Sequence, residues 1–160
     1  MVRFFSLCTL ATLFFVCLIA TPALAGQPYH SQINKIHAIG NTLDSVERRL
    51  DKLLMSYDGE TTAPKGMEGK VMAMARKMAV NEKQLKKIID SMSERRMHGS
   101  SGLEEALEEV GQYAVRIAGQ AQVGSRIPLD LGILDAFVEL KDVSENLAQV
   151  AQVYFDAFWD

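Results

Sequence analysis

The sequence predicts an all-α protein: an antiparallel up-down-up-down four-helix bundle with left-handed, heptad-like packing, preceded by a secretory signal peptide that is cleaved off. Three observations lead there. An apolar N-terminal segment ends in a signal-peptidase site. Four later stretches repeat apolar residues at alternating steps of three and four. Three breaks rich in Gly, Pro, Ser and Thr separate those stretches.

Met1-Val2-Arg3 supplies a positively charged start, and Phe4 to Ala20 is the apolar stretch. Thr21-Pro22-Ala23-Leu24-Ala25 then sets small Ala23 and Ala25 at the two positions a signal peptidase inspects. Residues 1–25 are therefore expected to be a bacterial-type leader, and residues 26–160 a single exported helical domain, periplasmic or secreted. An apolar run of about 17 residues lies at the lower edge of what spans a bilayer. Pro22, just ahead of a well-formed cleavage site, argues against retention as an anchor, so no integral span is expected after cleavage. Cys17 follows Phe14-Phe15-Val16, which lacks the small residue that precedes a lipidated cysteine.

Both cysteines, Cys8 and Cys17, leave with the leader. The exported part then has no disulfide, thiolate metal site, cysteine nucleophile or haem attached through C-x-x-C-H. It must be held by its own core, and about 135 residues suffice, because a chain of that size buries roughly two thirds of its surface. Loss of Arg3 from 17 basic residues leaves 16 against 20 acidic ones, a net charge of −4 with histidines neutral. That balance gives no electrostatic footprint for nucleic acid.

The expected helices cover 31–57, 67–97, 102–123 and 131–158. The first carries Ile36, Ile39, Leu43, Val46, Leu50, Leu53 and Tyr57 in a heptad seam, and the second Met67, Val71, Met74, Met78, Asn81, Leu85, Ile88 and Met92. The third carries Leu103, Leu107, Val110, Ala114, Ile117 and Ala121. In the fourth, Ile133, Phe137, Leu140, Ser144, Leu147, Ala151, Tyr154 and Phe158 keep the rhythm, while Ala136, Val143, Val150 and Ala157 widen the stripe, as in a helix that touches two neighbours. Asp44 with Arg48 and Glu82 with Lys86 form acid-to-base pairs at i, i+4. Glu104, Glu105, Glu108 and Glu109 avoid the seam, and Ser101-Gly102-Leu103-Glu104 reads as a capping box. Short connections between helices of roughly 38 Å favour antiparallel neighbours and an up-down-up-down closure. The small residues Gly111, Ala114, Ala118, Gly119, Ala121 and Gly124 admit a close neighbour, inside the monomer or in a homodimer.

Candidate chemistry is sparse. Met67, Met72, Met74, Met78, Met92 and Met97 invite soft-metal binding, but four of them sit in the seam, where methionine is an ordinary core filler. The histidines His30, His37 and His98 are not placed for axial haem ligation, and no E-x-x-H, H-E-x-x-H, P-loop or nucleophile elbow occurs. No catalytic residue, metal ligand or cofactor is therefore assigned. Asn81 and Ser144 are the polar seam positions, suited to fixing register or to lining a small polar pocket. Two surface features suit a partner: the basic tip at Arg95 and Arg96, and the aromatic end at Phe155 and Trp159. The expectation is an exported, non-enzymatic binding or adaptor protein of the bacterial cell envelope with a protein partner. The alternative is a small-molecule, haem or soft-metal-binding bundle acting as carrier or sensor.

Overall fold

The computed structural model describes residues 29–57, 63–92, 100, 102–127 and 129–157. The expected signal peptide, including Ala23 and Ala25, lies outside the described residues, and so do Arg95, Arg96, Phe158 and Trp159. The described residues are all-helical, with four helices and no strand: α1 His30–Met55, α2 Met67–Asp90, α3 Leu103–Gly124 and α4 Leu131–Asp156.

The helices begin and end for local reasons. Asp130 caps α4, its carboxylate accepting the backbone N–H of Gly132 at 3.0 Å. Glycine takes the N-cap of α2 and α3, where Gly66 and Gly102 adopt left-handed φ of 75° and 88°. The capping box expected from Ser101 is thus displaced: the chain turns at Gly102, which has no side chain to cap with, and Ser101 falls one residue outside. Three helices stop the same way. Ser56, Ser91 and Ser125 stand at the C-caps of α1, α2 and α3, and each hydroxyl donates to the carbonyl three residues back, at 2.7, 2.5 and 2.9 Å. The Ile88 carbonyl also accepts the Ser91 backbone N–H at 3.2 Å, so in α2 the hydroxyl adds to a bond already present. α2 gives way to a turn at Ser91, so the expected continuation to 97 ends seven residues early.

The core follows the seams closely. From Ile36 to Leu53 every seam residue of α1 is buried, as are Leu103 to Ala121 on α3 and Ile133 to Ala151 on α4. α2 departs from a strict heptad. Ala75 and Ile89 are buried at 1% and 3% exposure, whereas Met74 and Ile88 are only half-buried. A straight helix drifts about 20° per heptad from a 3.5-residue repeat, which moves the buried stripe onto the neighbouring position.

The neighbour order differs from the simplest closure. α1 packs on α2 and α3, and α4 packs on α2 and α3, so α2 and α3, consecutive in the chain, are not side by side. Contacts between elements give their directions. His37 meets Glu109 at 2.9 Å and Glu47 meets Arg116 at 2.8 Å, so α1 and α3 run the same way. Asp90 meets Tyr154 at 3.3 Å and the Glu68 carboxylate lies beside Gly132, so α2 and α4 do too. Lys35 shares a groove with Lys87, and Leu53 shares another with Lys70; Gly124 faces Phe137 and Gly111 faces Ala151. The hairpin partners α1 and α2, and likewise α3 and α4, are therefore antiparallel. The wide stripe of α4 accounts for its place, since Ala136 is buried and Val143 and Val150 are half-buried where two neighbours must be met.

Small residues make α3 and α4 the most intimate pair. A methyl group on Gly111 would touch Ala151 at 3.7 Å, and one on Gly124 would run into the Phe137 ring. These glycines are used inside the monomer. Gly119, by contrast, is exposed and faces open space. Gly119→Ala is expected to raise stability by about 0.5–1 kcal/mol, because only the backbone-entropy penalty of glycine in a helix is removed. The urea midpoint measures it, and a lower midpoint would show that Gly119 contacts something.

Candidate functional site

The residues singled out for docking are only partly placed. Phe155 sits on the last turn of α4, half-buried against Leu107, Gly111, Val115, Arg116 and Ala151 at the end of the α3–α4 seam. Beside it, the Tyr154 hydroxyl donates to Asp90. Burial pushes that phenol above its usual value, and the Asp90 charge adds to the effect, so it stays protonated and able to donate. Trp159, Arg95 and Arg96 lie outside the described residues.

The polar seam residues separate. Ser144 is fully buried and satisfied, its hydroxyl donating to the Leu140 carbonyl of its own helix at 2.7 Å. Asn81 is 4% exposed, and its Nδ2 finds no acceptor among the described residues. An unpaired buried amide costs about 1–3 kcal/mol. Asn81→Leu is therefore expected to stabilise the fold by about 1–2 kcal/mol, measured as a higher urea midpoint at unchanged slope. A lower midpoint would show that the amide is bonded. Glu109 also departs from expectation. It is half-buried, accepts from His37 Nδ1 at 2.9 Å, and lies over Gly40, where a side chain would collide with its carboxyl group.

The most distinctive surface is one that the sequence reading did not single out: the seam between α1 and α2, the loosest of the four helix contacts. Two grooves lie end to end along it. One, of about 510 Å³, has Val46, Leu53, Ala73 and Met74 as its apolar part, with Arg49 and Lys52 on one rim and Lys70 and Lys77 on the other. The next, of about 390 Å³, runs past Ala38, Ile39, Asn81 and Ile88 between Lys35 and Lys87. No acidic residue lines either groove, and none of the six cations is in an ion pair with a described residue. Elsewhere Arg48 pairs with Asp44, Lys86 with Glu82, Arg116 with Glu47 and Lys141 with Glu145, while Lys65, Arg76, Lys83 and Arg126 form no ion pair with a described residue, so the grooves are set apart by six cations lining them without an acid.

Four of these cations lie on the heptad flanks of α1 and α2. In an antiparallel pair the residues flanking one side of each seam face one another. Here those residues are Lys35, Thr42, Arg49 and Ser56 on α1, and Lys70, Lys77, Gln84 and Ser91 on α2. Like charges on facing flanks repel instead of bridging the seam. The signal was present in the sequence as heptad flanks holding cations and polar residues but no acid. It needed the pairing of α1 with α2 through those flanks to acquire meaning.

Among the described residues no group of three His, Cys, Asp or Glu side chains converges as metal ligands would, and no helix is long and apolar enough to cross a membrane. No protein-family model, curated protein or solved structure matches the chain.

Proposed function

We propose that the chain is an exported, non-enzymatic binding or adaptor protein of the bacterial cell envelope. It is periplasmic or secreted once residues 1–25 are removed, and is packed as an up-down-up-down bundle of left-handed heptad geometry. The α1–α2 groove carries the reading. Apolar surface lies between rims of cations that have no ion-pair partner among the described residues, in a protein whose acids outnumber its bases. The groove lining offers ammonium, guanidinium, amide, hydroxyl and methyl groups, but no carboxylate, imidazole or thiol to serve as base or nucleophile. Such a surface favours recognition, because a covering partner gains both apolar burial and charge complementarity.

Site-specific photo-crosslinking in living cells tests this. A photoreactive residue at Ala73, exposed at the groove, is expected to give one discrete protein adduct, and the same residue at Gln122, on the exposed part of α3, none. Equal adducts from both positions, or none from either, would remove the adaptor reading. The mature N-terminus, read by mass spectrometry, is expected at Gly26. An adduct that survives a Phe155→Ala and Trp159→Ala double substitution unchanged would exclude the aromatic end as the docking patch.

A further inference from the structure

We propose that the α1–α2 groove accepts an acidic, amphipathic α-helix from a protein partner. This rests on the adaptor reading and names the partner's chemistry. Three features define the occupant. The grooves run from Lys35 to Ser56 along α1, a rise of roughly 32 Å at 1.5 Å per residue, which gives room for a helix of up to about 21 residues. The apolar floor is recessed, since Val46 is 1% and Leu53 7% exposed. A concave floor takes a convex apolar stripe, as helix-in-groove recognition requires. Cations stand on both rims at successive levels, with Arg49 and Lys52 facing Lys77 and Lys70. Two parallel rims of positive charge complement a helix carrying acids on both sides of its apolar stripe, whereas a single-headed anionic amphiphile would be met by charge at one end.

A bilayer fits less well. Interfacial binding pushes protruding apolar side chains into the lipid, and here Ile39, Val46 and Leu53 are buried and Met74 and Ile88 half-buried. A second copy of the chain is the other protein candidate, since α3 and α4 expose Glu104, Glu105, Glu108, Asp135, Glu139 and Asp142. Those acids, however, flank only scattered apolar residues such as Leu131 and Val138. An acidic helix in the groove would give the six cations opposite charges to pair with, so the complex is expected to stabilise the bundle.

The probe is a fluorescein-labelled synthetic helix of about 18 residues, with leucines at steps of three and four and glutamates on both flanks, titrated into the full chain and followed by anisotropy. Saturable binding is expected, weakening as salt shortens the Debye length from about 10 Å at 0.1 M to about 3 Å at 1 M. Arg49→Glu with Lys77→Glu should weaken it about tenfold or more, and Lys52→Glu with Lys70→Glu likewise. All four side chains are exposed, and a native far-UV CD spectrum and urea midpoint confirm that the variants fold. Equal affinity for a scrambled peptide of the same composition would overturn the proposal, as would unchanged affinity of both charge-reversed pairs. Binding to phosphatidylglycerol vesicles without binding to the peptide would reassign the groove to lipid. Concentration-dependent self-association abolished by the reversals would reassign it to a second copy. If the peptide fails while the Ala73 adduct persists, only the acidic-helix inference falls. If both fail, the adaptor reading falls with it.

Discussion

Replacing Phe137 with alanine is expected to lower the unfolding free energy by about 3–5 kcal/mol in urea denaturation. Phe137 is the largest of the fully buried side chains, and its ring lies where α3 and α4 approach most closely, against the backbone of Gly124. Truncation removes the apolar burial of the ring and leaves a cavity between two helices that cannot close without moving apart. The sharper test is a double-mutant cycle. Gly124→Ala alone should cost about 1–3 kcal/mol, because the added methyl meets the ring and the contact is too tight to accept it. In the Phe137→Ala background the same methyl enters the vacated space. The helix-propensity gain of alanine over glycine, about 1 kcal/mol, then emerges and the sign reverses. A destabilising Gly124→Ala in both backgrounds would show that ring and glycine are not in contact.

Met78→Ala is expected to cost about 2–5 kcal/mol and Met78→Leu less than about 1.5 kcal/mol. Met78 is fully buried, and leucine restores nearly the same apolar volume. A thioether needed as a metal ligand gives a different pattern. Both substitutions would then be equally damaging to a metal-stabilised protein, and cuprous ion would raise the unfolding midpoint through linkage. Geometry separates the two cases. Met67, Met78 and Met92 are all interior, but Met78 stands roughly 16 Å from Met67 along α2 and roughly 18 Å from the helix's last residue, Asp90, beyond which Met92 lies. Their sulfurs cannot converge on one ion, so each fills its own layer of the core.

Much of the fold was legible from local rules. Apart from the C-terminus of α2, which stops at Asp90, the helices begin and end within three residues of the breaks at 58–66, 98–102 and 124–130, because Gly, Ser and Pro interrupt the apolar rhythm there. The i, i+4 pairs Asp44 with Arg48 and Glu82 with Lys86 form at 3.0 and 2.7 Å, since their spacing alone brings the groups together. Misreadings arose where a residue's role depends on another helix. Periodicity places Glu109 off the seam and says no more, yet it bridges to His37 of α1 and lies over the bare backbone of Gly40. Met74 and Ile88 were given core positions, yet the drift of α2 against its neighbours leaves them lining the grooves.

The candidate site shows the same division. Lys35, Arg49, Lys52, Lys70, Lys77 and Lys87 look like ordinary charged faces when each helix is read separately. The sequence by itself determined the helices, their apolar faces and their charged flanks, because these follow from periodicity and from contacts within a few residues. Only the tertiary structure decided that α4, not α3, lies beside α2, and that the cationic flanks of α1 and α2 face each other across one seam. It likewise decided that Gly124 is bare because Phe137 occupies the space. The physical reason is that a heptad stripe specifies which face a helix buries but leaves the choice of partner open. That choice rests on side-chain volume and charge summed between segments far apart in the chain.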